Sequence, residues 1–290
     1  MIWLGEKRGN LSDWVTQQWV RFTGRDVSLA ECPWLDGPVG GTRQIGKQFF
    51  DDYANQNNLE PIRSGIRGLI PDFRALEANN PGMSAVADPV RQFYEQTSEF
   101  HLDAWSQWYS PLRPFGKALS ILFSRRLQQL NVPLSSLDCA RGMTSSVVQL
   151  RHPHSGKVVQ TAWVRELRAT QNVIYAGSYS ICKVPGHPGA CVKVVFPLPN
   201  GSAIVIMKAE SEPEGSLVLK SRGKRFGDPG FYFVVHQGNG RIWTRYVASM
   251  KEEIRVYPAE TGIVRTDHTL WIWGIEFLRL HYRMFKQTTP

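Results

Sequence analysis

The residues best able to move protons lie in two strand-like segments near the end of the chain, Arg265, Asp267 and His268 within residues 263–271 and Arg279, His281, Tyr282 and Arg283 within residues 275–285. An imidazole beside a carboxylate in apolar surroundings is the usual apparatus of general acid–base chemistry, because histidine titrates near neutrality and the carboxylate orients it. The same residues serve equally as a salt-bridged core. Strand alternation sets Arg265, Asp267, Thr269 and Trp271 on one face and Val264, Thr266, His268 and Leu270 on the other. Asp267 and His268 therefore cannot share one cavity unless a bulge breaks the alternation, and Asp267 has Arg265 as an ion-pair partner on its own face. If the two segments are neighbours, His268 can approach His281, or Asp267 can approach Tyr282, according to register. The candidate acid–base residues are Asp267, His268 and His281.

Other polar groups stand in apolar or turn contexts. Glu252-Glu253 places one carboxylate on each face of a strand, and the inward one needs a basic partner. Asp228, in Phe226-Gly227-Asp228-Pro229-Gly230-Phe231-Tyr232, is expected to bond its own turn. Glu95, Glu99 and Asp103 recur every four residues, a column read as a solvated face, as salt bridges to the basic half of the chain or as catalytic carboxylates. As ligand contacts we take Glu95, Asp103, Trp105 and Asp228 with Tyr232, Trp243, Arg265 and Tyr282. The sequence holds no nucleophile elbow, Walker loop, dinucleotide fingerprint or H-E-x-x-H zinc motif. No metal or cofactor is expected.

The elements that must position these residues change character along the chain. Up to about residue 135 the punctuation is helical. Ser12 precedes a stripe of Trp14, Val15, Trp19 and Phe22 that Gly24 stops, and Thr42 precedes Ile45, Phe49 and Tyr53. Asp88-Pro89 opens a helix carrying Val90, Phe93, Thr97, Phe100, Ala104, Trp105 and Trp108 on one face, and a further helix is expected over residues 114–130. From Arg141 the period becomes 2, and ten to eleven strands are expected, separated by Ser155-Gly156, Pro185-Gly186, Asn200-Gly201, Glu214-Gly215, Asn239-Gly240 and Thr261-Gly262. Asn200-Gly201 is the preferred pair for a type I′ hairpin. Short connections force antiparallel neighbours, and so many strands tend to curl or close. The expected fold is α+β: helices of residues 1–135 covering a large, curved, mainly antiparallel meander of residues 136–290, barrel-like or half-barrel, in one cooperative unit.

At 290 residues with 42% hydrophobic content the chain can bury a real core, and its net charge of +9 favours anionic partners, including an anionic membrane surface. The basic residues are dispersed without a nucleic-acid arm, so no nucleic acid is expected. Met1-Ile2-Trp3-Leu4 runs at once into charged residues and no window reaches about 18 uncharged apolar residues, which leads us to expect a cytoplasmic protein. Cys32, Cys139, Cys182 and Cys191 have neither C-x-x-C spacing nor disulfide-scaffold density, although Cys182 and Cys191 can face each other across a hairpin.

Several strings are shared with a group of bacterial proteins: Phe93-Tyr94-Glu95-x-Thr97, Leu102-Asp103-x-Trp105-Ser106-x-Trp108, Arg141-Gly142-Met143-Thr144-Ser145, Phe196-Pro197-Leu198-Pro199-Asn200-Gly201, residues 226–232, Arg265-Thr266-Asp267-His268 and Leu280-His281-Tyr282. On these the chain resembles uncharacterised actinobacterial proteins and the soluble portion of the Bacillus membrane protein YndJ, over roughly residues 89–284. The resemblance implies no activity. It picks out Glu95, Asp103, Asp228, Asp267, His268, His281 and Tyr282 as positions in shared motifs.

The 33 aromatic residues, ten of them Trp, together with Arg, Asp and His in strands, suit a mostly apolar cavity with a few fixed polar groups. The leading expectation is binding of a hydrophobic or amphiphilic, lipid-like or isoprenoid-like small molecule. An enzyme performing acid–base isomerisation, cyclisation or hydrolysis on such a ligand is the alternative. The third is a protein-interaction or membrane-surface module, which a closed pocket of roughly several hundred Å³ would argue against. Oligomeric state is not legible.

Overall fold

The computed structural model describes residues 10–42, 45–46, 48–78, 80, 82–109, 142–168 and 173–286, with the backbone of 2–3 and 6–7. The helix expected over residues 114–130, Cys139 and Arg141 lie outside the described residues.

In chain order the strands are β1 (Ile2–Trp3), β2 (Glu6–Lys7), β3 (Arg25–Val27), β4 (Glu60–Ile62), β5 (Phe100–Trp108), β6 (Met143–Arg151), β7 (Val158–Leu167), β8 (Val173–Cys182), β9 (Cys191–Leu198), β10 (Gly201–Ser211), β11 (Leu217–Lys220), β12 (Phe231–His236), β13 (Ile242–Tyr246), β14 (Met250–Pro258), β15 (Ile263–Ile272) and β16 (Ile275–Lys286). Among the described residues four helices stand before the main run of strands: α1 (Leu11–Thr23), α2 (Phe49–Gln56), α3 (Arg74–Glu77) and α4 (Asp88–Glu95). Among the described residues, and apart from the β1–β2 pair, the strands form one antiparallel 14-stranded sheet that curls without closing, in the order β4-β6-β7-β8-β9-β10-β11-β14-β15-β16-β5. It forks at β10. Gly201–Val205 pairs with β12, whose neighbours β13 and β3 complete a branch, while Lys208–Ser211 pairs with β11.

The gap between the β5 and β6 ends of the curl is stitched by residues 67–70. The Arg67 guanidinium donates from Nε to the Val147 carbonyl on β6 (2.9 Å), and Arg67 and Ser98 exchange backbone and hydroxyl bonds beside β5 (2.8 and 2.9 Å). Leu69 N–H donates to Thr97 Oγ1 (3.2 Å) and Ile70 N–H to the Tyr94 carbonyl (3.1 Å). Gly68 is required at this seam, because a Cβ there would sit 2.2 Å from the Tyr94 carbonyl oxygen.

Alternation sends Trp163, Tyr175, Tyr179, Val194, Phe196, Val205, Met207, Leu217 and Leu219 to the concave face, where Leu69, Phe73, Val90, Phe93 and Tyr94 roof them into the main core. The convex face is covered too. Phe50 and Ala54 of α2 pack on Val148, Leu150, Ala162 and Val164, and Cys32, Trp34 and Leu35 pack on Val195, Ile204, Ile206 and Tyr232.

Four expectations need correction. Residues 88–108 are not one helix: α4 ends at Glu95, a 3-10 turn spans Thr97–Glu99, and β5 pairs with β16. The side chain of Thr97 draws the chain out of the helix by donating to the Phe93 carbonyl (2.6 Å), and the free edge of β16 takes the next nine residues as a strand. The Glu95-Glu99-Asp103 column therefore does not exist as a helical face. Helix α1 forms, but it is capped by Asn10, in a capping box with Asp13, rather than by Ser12. Its inward side chains are Asp13, Gln17 and Val20, whereas Leu11, Val15, Trp19 and Phe22 face outward, Phe22 being 85% exposed. Finally, the β9–β10 hairpin turns on Pro199-Asn200, not Asn200-Gly201. Proline cannot take the positive φ of a type I′ turn, Asn200 adopts φ 56°, and the pair suits type II geometry. Gly201 instead opens β10, where a Cβ would lie 2.0 Å from the Val234 carbonyl oxygen.

Candidate functional site

The concave face holds a partly open cavity of about 70 Å³, bounded by Phe93 and Tyr94 of α4, by Trp163 and Arg165 of β7, and by side chains from β8, β9, β14, β15 and β16. This is smaller than the roughly several hundred Å³ expected of a ligand pocket, because aromatic rings fill most of the interior. Trp163 packs edge-on against Tyr175 (5.6 Å) and Tyr179 (5.9 Å), and Tyr175 against Phe196 (5.2 Å).

Its polar walls come from β7, β8, β14, β15 and β16. Glu252 of β14 and His268 of β15 form a diagonal cross-strand pair, since Glu252 stands opposite Leu270 and His268 opposite Ile254. His268 Nε2 lies 3.2 Å from Glu252 Oε2, an arrangement in which the imidazole N–H donates to the carboxylate. Ser221 fixes the strand here: its hydroxyl accepts from Glu252 N–H (2.9 Å) and its own N–H donates to the Glu252 carbonyl (3.0 Å). The Glu252-Glu253 pair thus divides as the sequence requires, with Glu252 inward on His268 and Glu253 outward on Arg222 (3.0 Å).

Arg165 is the cation of the cavity. It is 7% exposed and stands opposite Tyr175 on the neighbouring strand. Its guanidinium carbon lies 4.2 Å from the centroid of the Tyr175 ring, 4.4 Å from that of Trp163 and 5.3 Å from that of Tyr282 on the far wall. Among the described residues no carboxylate reaches it, and its Nε–H has no acceptor. The Tyr175 hydroxyl, close enough to Tyr179 for the two to affect each other's ionisation, makes no hydrogen bond of ordinary geometry. Burial drives the Tyr175 phenol well above its usual range and Tyr179 up to about 12, with the Arg165 charge opposing both shifts. Both phenols are therefore neutral donors at physiological pH.

The residues expected to act together are divided between faces. His268 and Tyr282 line the cavity. Asp267 and His281 are directly paired across β15–β16 on the opposite face, His281 Nδ1 to Asp267 Oδ1 at 2.6 Å, with Trp105 stacked on the imidazole at 5.4 Å. The only register shift in that pairing falls at Leu270/Trp271, beyond Asp267-His268, so the alternation that separates them holds. Asp103 and Arg265 belong to this outer face as well, Asp103 opposite Arg283 and Arg265 bonded to Glu260 (3.3 Å). Glu95 accepts from the Phe73 N–H (2.7 Å) and so ties α4 to the start of α3. Trp243 lies on the β13 branch beneath Arg241 (4.9 Å).

Asp228 and Tyr232 hold a turn. Asp228 Oδ2 accepts from the N–H groups of Lys224 (2.8 Å) and Arg225 (3.1 Å), and Oδ1 meets His187 Nε2 (3.1 Å). Burial opposes ionisation of this carboxyl, but those bonds outweigh it and hold it below the usual aspartate range. The Tyr232 hydroxyl donates to the Asp228 carbonyl and accepts from Gly227 N–H (3.1 Å).

Sequence reasoning missed Arg165, Tyr175 and Tyr179 as site residues. A signal was present for the first: Trp163, Arg165 and Leu167 alternate on one face of an apolar strand. Among the described residues no cluster of three His, Cys, Asp or Glu side chains could hold a metal ion.

Comparison with known proteins adds one relative, the "Uncharacterized membrane protein YndJ" of Bacillus subtilis (strain 168), 28% identical over 257 residues. The chain is similar to YndJ. The match covers 87% of this chain and 43% of YndJ, so the chain spans less than half of that relative's length. Coverage this broad extends the likeness to YndJ beyond the motifs of residues 89–284 into the first 88 residues. No family model matches the chain, and no solved structure does. Among the described residues no helix is long and apolar enough to cross a membrane.

Proposed function

We propose that the chain binds a small amphiphilic molecule inside the curved sheet, with α4 and residues 67–70 as the cover. The observation that carries this reading is an interior in which Arg165, Tyr175, Glu252 and His268 meet an otherwise aromatic and aliphatic wall around unfilled space. Burying the Arg165 Nε–H without an acceptor costs stability, and a ligand that supplies the acceptor removes that cost. At about 70 Å³ the cavity is well below the roughly 300 Å³ at the lower end of small-molecule pockets. The ligand is therefore compact, or it displaces Phe93 and Leu69 to seat its tail. Native mass spectrometry of the purified protein, followed by organic extraction, should reveal one low-mass amphiphile per chain. A ligand-free mass, together with no thermal shift across a panel of medium-chain acids and alcohols, would reject the reading.

Catalysis is the second reading, favoured by the His268–Glu252 pair: an imidazole oriented by a carboxylate can carry a proton at a ligand atom placed beside it. Asp267 and His281 face away from that cavity and are not assigned to it. For the setting we propose the cytoplasm, where Cys182 and Cys191 can stay free thiols at paired positions of the β8–β9 hairpin. The outward stripe of α1 and the membrane-protein name of YndJ support an anionic membrane surface as a further partner.

A further inference from the structure

We infer that the ligand carries a carboxylate and that Arg165 is its anchor, an assignment that rests on the amphiphile-binding reading above. A guanidinium presents five N–H donors in one plane. In Arg165 the faces of that plane are taken by aromatic rings, with Trp163 and Tyr175 at 4.4 and 4.2 Å. Ring faces engage the charge but accept none of the in-plane hydrogen bonds well, and the Nε–H is left without an acceptor. Glu252 does not serve, because its Oε2 is engaged by His268 at 3.2 Å and neither oxygen comes within ion-pair distance of Arg165. What completes such a group is a planar anion meeting its edge through two parallel N–H···O bonds, the geometry of a carboxylate. The neutral Tyr175 phenol, coupled to Tyr179, covers one face of the same guanidinium and leaves its edge to the anion.

The class is narrowed by charge and volume. A phosphate dianion would face one guanidinium against the Glu252 carboxylate and would need further cations, whereas Arg165 is the one Lys or Arg lining the cavity among the described residues. A carboxylate monoanion brings one negative charge rather than two against the same Arg165 and Glu252, and its head group has only three heavy atoms. The apolar remainder would run toward Leu69, Phe93 and Met207.

The test is calorimetric titration of the full chain with sodium decanoate and with decan-1-ol, repeated on Arg165→Gln and Arg165→Lys. We expect decanoate to bind wild type at least tenfold more tightly than the alcohol, Arg165→Gln to lose that preference, and Arg165→Lys, which keeps the charge but not the fork, to keep part of it. Equal affinity for acid and alcohol in wild type overturns the carboxylate assignment and leaves the amphiphile reading standing. Binding of neither overturns both. A full preference for the acid in Arg165→Gln removes Arg165 as the anchor. If that variant does not fold, Arg165→Lys decides: undiminished preference counts against the bidentate contact and a reduced one supports it.

Discussion

Replacing Phe93 with alanine should weaken the fold and open the cavity at its cover in one step. Phe93 is 4% exposed and reaches from α4 into the interior, with ring contacts to Tyr94 at 5.3 Å, Phe100 at 5.5 Å and Trp163 at 6.5 Å. Removing so fully packed a ring costs about 3–5 kcal/mol. At about 2.1 cal/mol/K of unfolding entropy per residue, a chain of 290 residues should lose about 5–8 °C in Tm. If the neighbours relax little, the ring leaves roughly 100 Å³ of new space, which at about 24 cal/mol per Å³ accounts for about 2.4 kcal/mol of the loss. That part is recoverable. A small apolar probe such as indole, at about a hundredfold excess over its Kd, returns about 2.7 kcal/mol, or roughly 4 °C. Differential scanning calorimetry of wild type and Phe93→Ala, with and without indole, measures both effects. A loss below about 1 kcal/mol, or no larger response to indole in the variant than in wild type, would refute the claim that Phe93 walls a ligand-accessible space.

Three further perturbations separate the two faces of the sheet. His268→Leu leaves the buried Glu252 carboxyl without its partner and should cost about 3 kcal/mol in chemical denaturation, with Glu252→Gln in the same chain restoring a good part of it. Asp267→Asn, on the opposite face, should cost less than about 1 kcal/mol and change decanoate affinity by less than about twofold, because its pair with His281 is half-exposed and points away from the cavity. Asp228→Ala should cost about 1–2 kcal/mol at neutral pH. The folded-state carboxyl of Asp228 is held below its usual range, so its contribution is complete above the unfolded aspartate value and is lost as pH falls through the lower folded one. The gap in Tm between wild type and Asp228→Ala should be constant down to about pH 5 and narrow below about pH 4.

Most of the sheet was legible because its second half has a period of 2 and a glycine-bearing turn at nearly every reversal. The β15–β16 turn was legible only as the break at Gly274 between two strand-like runs: Trp273 and Gly274 both take positive φ, at 50° and 80°, and an exposed tryptophan gives no turn signal. Strand β5 was not legible, since Phe93, Thr97, Phe100 and Ala104 satisfy a helical period while Phe100, Leu102 and Ala104 satisfy a strand. What decides between them is the unpaired edge of β16, nearly 180 residues later in the chain. The direction of α1 misled for a different reason. Its apolar stripe looked like a core face, yet Gln17 turns inward to donate to the Pro199 carbonyl (3.0 Å), a bond no local pattern announces. At the site, alternation correctly separated Asp267 from His268. The pairing of His268 with Glu252 needed the β14–β15 register, and the isolation of Arg165 needed the whole curl of the sheet.

Photo-crosslinking with a diazirine-bearing medium-chain fatty acid, followed by peptide mapping, tests the central claim most directly. Label on Phe93, Trp163, Tyr179 or Tyr282, lost on competition with decanoate, is the predicted result, since these side chains meet only inside the sheet. Label confined to the outward stripe of α1 or to Trp105 and His281 on the outer face would contradict it, and would make the chain a surface binder with a packed interior.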